Sequence, residues 1–129
     1  MGTRSYIFTE TQNNNFVGSY CHWDGYPEGV GSILLENYID QDKVDELCNL
    51  AGFSSLQETI EETATARYDD IPSAVANSVK DACNYGADFG ADYIYIHKDN
   101  EWWFYETGSK TRRHLETYLS MKKNLNDLL

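Results

Sequence analysis

Tyr20-Cys21-His22-Trp23-Asp24-Gly25-Tyr26-Pro27-Glu28-Gly29-Val30-Gly31-Ser32-Ile33-Leu34-Leu35 is the stretch in which a strand-like apolar pattern stops and a helical one begins. It holds three glycines, a proline and three aromatic residues. Glycine permits close chain approach or a positive φ, and Pro27 fixes its own φ while biasing Tyr26 toward an extended conformation. The stretch therefore reads as one sharply specified corner.

Upstream, Arg4-Ser5-Tyr6-Ile7-Phe8-Thr9-Glu10 and Phe16-Val17-Gly18-Ser19-Tyr20-Cys21 are rich in aromatic and β-branched residues. Thr11-Gln12-Asn13-Asn14-Asn15 between them favours a turn, which predicts a β-hairpin. Tyr6 and Phe8 share one strand face and Ile7 takes the other, so both faces are apolar. Downstream, Val30, Ile33, Leu34 and Tyr38 recur at helical spacing and predict a helix from about Gly29 to Ile39. A second helix follows, capped by Asp40 or Asp42, with Val44, Leu47 and Cys48 as its stripe and Gly52 as its stop.

Farther out, Ser55-Leu56-Gln57-Glu58 matches a capping box and predicts a short third helix. Residues 61–70 are polar and poorly periodic, which predicts a mobile loop. Pro72 opens a predicted helix over about 72–85, carried by Val75, Val79 and Ala82 or Cys83. Residues 91–97 and 101–106 around Lys98-Asp99-Asn100 predict a second hairpin at the sheet's centre. Gly108-Ser109 breaks the strand and caps a last helix, with Leu115, Tyr118, Leu119 and Leu125 along one stripe and Arg112, Arg113, Lys122 and Lys123 mostly in water. The expected fold is a single α+β domain over residues 1–129: two β-hairpins forming one antiparallel sheet, with four to five helices packed mainly on one face.

The formal net charge is −11. Residues 1–109 hold nineteen acids and five bases, whereas residues 110–129 hold two acids and five bases. A field of that sign repels nucleic acid and anionic membrane and steers toward basic surfaces, so neither direct nucleic-acid binding nor membrane association is expected. No leader pattern is evident, no stretch reaches the roughly 18 apolar residues of a membrane span, and a soluble, cytoplasmic protein is the expectation. Cys21, Cys48 and Cys83 are odd in number and widely spaced, which points away from a disulfide framework.

Cys21, His22 and Asp24 are metal-ligand types, but their spacing matches no paired-ligand pattern, and neighbours on a strand point to opposite faces. No metal site is expected. A nucleophilic cysteine needs a base and an electropositive setting, which this acidic chain does not offer, so no catalytic residue is assigned. Asp24 and Glu28 form a carboxylate pair of low specificity among twenty-one acids. Gly29-Val30-Gly31-Ser32 precedes a helix but lacks a Walker lysine and the G-x-G-x-x-G spacing. In the second hairpin, Trp102 and Phe104 share one face and Trp103 and Tyr105 the other; whichever pair is left uncovered would be an aromatic patch among acids.

Tyr20-Cys21-His22-Trp23-Asp24-Gly25-Tyr26-Pro27, continued by Gly31, Leu34-Leu35, Tyr38, Lys43-Val44 and Phe53-Ser54-Ser55-Leu56, resembles a family of small proteins encoded by bacteriophages and prophages. The likeness spans about the first half of the chain, with a looser echo between Tyr93 and Trp103. That family has no established activity, so the resemblance implies a phage setting and no catalytic residues. Small acidic phage proteins often look like inhibitors of host defence of the anti-CRISPR or anti-restriction type. The expected function is a non-enzymatic counter-defence protein that binds a basic, nucleic-acid-handling host protein, without a cofactor. Asp40, Asp42, Asp45, Glu46, Glu58, Glu61, Glu62, Asp69 and Asp70 would act as phosphate surrogates. The alternative is a small-molecule binder that sequesters a nucleotide immune signal at His22, Trp23, Asp24, Tyr26, Gly31 and Ser32.

Overall fold

The computed structural model describes residues 2–128. β1 (Ser5–Glu10) and β2 (Phe16–Cys21) are followed by a π-helical turn (Pro27–Gly31), α1 (Ser32–Asn37), α2 (Gln41–Cys48) and α3 (Ile60–Thr65). Then come β3 (Ala74–Ala76), α4 (Val79–Asp88), β4 (Tyr93–Lys98), β5 (Glu101–Glu106), β6 (Arg113–His114) and α5 (Leu115–Leu128). The architecture is α+β, with six strands in one sheet ordered β3-β2-β1-β4-β5-β6.

Both predicted hairpins form, β1 with β2 and β4 with β5. Asp99 and Asn100 close the second at φ 56° and 62°, the paired left-handed conformation whose twist suits a two-residue hairpin loop. The sheet is mixed, however, where an antiparallel one was expected, because the hairpins meet through a parallel β1–β4 pair, with Tyr6 opposite Ile94 and Phe8 opposite Ile96. The cause is β3, which lies inside the segment predicted as helix from Pro72. Ala74 and Ala76 are buried and Val75 is exposed, a period-two pattern that adds a short strand to the edge of β2. Since β3 runs antiparallel to β2, it runs parallel to β1. Helix α4 then crosses the sheet and returns the chain as β4 in that same direction. The middle strands are therefore β1 and β4, and the second hairpin extends outward from them.

Both faces of the sheet are covered. On the first, Ile7, Cys21, Tyr95, Trp102 and Phe104 pack with Leu34, Val44, Leu47, Cys48 and Leu115 from α1, α2 and α5. On the second, Tyr6, Phe8, Phe16, Tyr20, Ile94 and Ile96 pack beneath Ala82 of α4 and the alanines of β3. The two-sided apolar pattern of β1 thus reflects a strand buried on both faces.

Several predicted boundaries move. The last helix, expected to be capped at Gly108-Ser109, starts only at Leu115, because β6 intervenes. α2 ends at Cys48, and Gly52 instead lies in the link beyond it, its N–H donating to Ile71 O at 2.7 Å. The working capping box is Thr59 to Glu62: Thr59 Oγ1 accepts the Glu62 N–H at 3.1 Å and donates to Glu62 Oε1 at 3.0 Å. The third helix therefore occupies residues expected to form a mobile loop. Thr63 pins it, fully buried, accepting from Gln57 N–H at 3.0 Å and donating to Thr59 O at 2.8 Å.

Candidate functional site

The corner at residues 20–32 sends neighbouring side chains to opposite sides of the sheet. Cys21 enters the first core, where burial pushes its thiol up to about 12. His22 lies on the other side, with Nδ1 2.7 Å from Tyr20 Oη and its ring stacked on Tyr68 at 4.1 Å. Burial, and then the Arg4 charge, hold its pKa below the ordinary histidine value. Trp23 meets the His22 ring edge-on at 4.7 Å and, like Tyr26, stays exposed.

The remainder of the corner is tied to its own chain. Asp24 adopts φ 58°, Gly25 N–H donates to Thr3 O at 2.8 Å, and Gly25 O accepts from Tyr95 Oη at 2.6 Å. The N–H groups of Gly29 and Val30 donate to Tyr26 O and Asp24 O at 2.9 Å, and that of Ser32 bonds Gly29 O and Pro27 O. A Cβ on Gly29 would overlap Asp24 O, so glycine is required here by close approach. Gly31 is buried against Leu115 of α5. Of the six residues of the predicted ligand site, His22 and Trp23 stand together, whereas Gly31 lies inside the core. The aromatic rings there remain open to a ligand, but the N–H groups that would hold a phosphate are already bonded within the turn.

The nine predicted partner-binding acids fall into three groups. Asp40, Asp42, Asp45 and Glu46 lie on or beside α2; Glu58, Glu61 and Glu62 lie on or beside α3. The two helices are joined at Tyr38 and Lys43: Tyr38 Oη donates to Gln57 O at 2.8 Å, and Lys43 Nζ donates to Glu58 O at 2.7 Å while sitting 4.4 Å over the Tyr38 ring. Asp69 and Asp70, both left-handed at φ 51° and 49°, belong to the segment after α3. That segment is laced to the corner through residues 52–54: Phe53 bonds Tyr20 and His22, Trp23 N–H donates to Ser54 O, and Ser54 N–H donates to Ala66 O. The same lacing lays Tyr68 on His22.

Eight of the nine acids are exposed and Asp45 is half-buried. Among the described residues, Asp70 alone of the nine is in an ion pair, with Arg67 Nε at 2.7 Å. Asp45 accepts a hydrogen bond from Gln41 Nε2 at 2.8 Å. Lys43 donates to a carbonyl and sits over an aromatic face while keeping its charge. It and Arg67 are the only two bases against nine acids over residues 40–70, so the field of this surface is left largely uncompensated.

Sequence reasoning missed two arrangements. Tyr85 and Phe89, on and just beyond α4, pack edge-on against Tyr6 at 5.4 and 5.6 Å, extending the aromatic group of Tyr20, His22 and Tyr68 to the surface. Only the α4 crossover brings them there, so no local spacing signals it. Glu101, His114 and Thr117 form a hydrogen-bonded chain, each link 2.7 Å. It resembles a nucleophile, base and carboxylate, but Thr117 N–H also points at His114 Nδ1 at 3.4 Å, so His114 caps the first turn of α5. Among the described residues, no three His, Cys, Asp or Glu side chains converge on a metal position, and no helix is long and apolar enough to cross a membrane. Compared with protein families, with curated proteins and with solved structures, the chain matches none.

Proposed function

We propose that the protein is a non-enzymatic binding protein whose acidic α2–α3 face engages a basic, nucleic-acid-handling protein and blocks its nucleic-acid surface. In the phage setting that the Tyr20 to Pro27 resemblance implies, that partner is a host defence protein. One observation carries the proposal: eight of the nine acids on and after these helices make no ion pair among the described residues. Carboxylates without an ion-pair partner and held on two joined helices offer a basic groove fixed negative charges, as a phosphate backbone does.

Neutralising the face tests this. Combining Asp40→Asn, Asp42→Asn, Glu58→Gln, Glu61→Gln and Glu62→Gln removes five charges from exposed positions. The variant keeps its helical circular dichroism and loses capture of a nucleic-acid-handling partner identified by mass spectrometry. Undiminished capture by the folded variant contradicts the proposal.

A further inference from the structure

Helix α4 packs on β3, β1 and β4 and stops short of β5, leaving a groove on the second face of the sheet. Its volume is about 570 Å³. Ile94 and Tyr105 form the floor, Val79, Cys83 and Ala87 of α4 form one wall, and residues 106–110 form the other. That second wall is a fixed turn: Gly108 takes φ 88°, Thr107 N–H donates to Asp92 O at 3.0 Å, and Ser109 N–H donates to Glu106 O at 2.9 Å.

The charges around the groove run against those of the chain. Lys80 lines it from α4 and Lys110 from the turn, and neither is in an ion pair among the described residues. Glu106 is the carboxylate in the lining, and Arg113 Nη1 holds it at 3.2 Å. An apolar cleft of this size with a few convergent polar groups is the ordinary form of a small-molecule site, and two uncompensated ammonium groups select for an anion. We infer that this groove binds a small organic anion: an apolar ring or short chain carrying a carboxylate, sulfonate or phosphate. The site is separate from the acidic α2–α3 face and does not depend on its function.

Cys83 supplies the readout. It is half-buried in the groove wall, with its thiol pushed up to about 11 by burial, whereas Cys21 and Cys48 are fully buried. Alkylation by N-ethylmaleimide, located by mass spectrometry, therefore reports on occupancy. Naphthalene-2-sulfonate tests a ring body, decanoate a chain, and neutral naphthalene-2-sulfonamide the need for charge. Naphthalene-2-sulfonate or decanoate slows Cys83 alkylation, and the charged ligand binds about fivefold tighter than its neutral counterpart, the scale of two screened surface contacts. Combining Lys80→Gln with Lys110→Gln removes that preference and leaves the melting temperature unchanged. Absence of protection by both anions at millimolar concentration, equal protection by the sulfonamide, or unaltered protection in the double variant would overturn the inference.

Discussion

Thr63 shows how much one side chain settles in this fold. Its hydroxyl joins the Gln57 N–H, the Thr59 carbonyl and, at 3.3 Å, Tyr38 Oη, and so fastens the acidic α3 segment to the end of α1. Thr63→Val keeps the shape and strands the Gln57 N–H; a cost of about 1–3 kcal/mol is expected in urea unfolding. Gly29→Ala forces a methyl onto Asp24 O in the corner and is expected to cost about 1–3 kcal/mol, read as a lowered melting temperature. His97, buried beneath α2 with Nδ1 3.5 Å from Thr9 Oγ1, is held below its ordinary pKa by burial, against an opposing pull from Asp45. The unfolded chain therefore takes up a proton at a higher pH than the folded one. Stability is complete above about pH 6.5 and falls as pH drops toward the folded value, and His22 adds a loss of the same sign. In urea midpoints at pH 7.5 and 5.5, His97→Gln shows a smaller loss than the parent; an equal loss would place the titration elsewhere. The corner was legible at this scale, since its glycines and proline carry meaning alone. Thr59 and Thr63 were not, because Ser55 to Glu58 matches the same capping pattern, and the bonds that Tyr38 and Lys43 make to Gln57 O and Glu58 O come from distant sequence.

Helices and strands were legible where their pattern was self-contained. The second hairpin declares itself through two apolar runs and a turn that tolerates positive φ. β3 was concealed because Ala74, Val75 and Ala76 are all apolar, so their alternation appears in burial and not in sequence, and Pro72 opens a helix as readily as it precedes an edge strand. Ser73 fixes the outcome from outside the strand, its hydroxyl reaching Gly18 O at 3.1 Å and Cys48 O at 2.8 Å. Missing β3 also concealed the crossover, and with it the parallel pairing at the sheet's centre. α4 begins properly at Ser78, whose Oγ accepts the Asp81 N–H at 3.0 Å. Ser78→Ala should cost about 0.5–2 kcal/mol. Because α4 is the helix over the second face, that variant should also alkylate faster at Cys83, and an unchanged rate at lower stability would separate the helix start from the groove.

At the scale of the whole molecule, the charge imbalance was readable from composition, but its organisation was not. The sequence spaces nine acids over thirty-one positions, residues 40–70. Folding sets seven of them on or beside two joined helices and ties the segment of the other two, through residues 52–54, to the corner that carries His22 and Trp23. The groove behind α4 could not be foreseen either, since its walls come from the α4 helix and the turn after β5. The central claim is that the acidic face binds by replacing phosphates on a basic partner. The measurement that tests it most directly is capture from a bacterial lysate across a salt gradient, with duplex DNA added as a competitor and the eluates identified by mass spectrometry. The account predicts a basic, nucleic-acid-handling protein held at low salt, released steeply as salt rises, and displaced by DNA. A complex indifferent to both salt and DNA would contradict it.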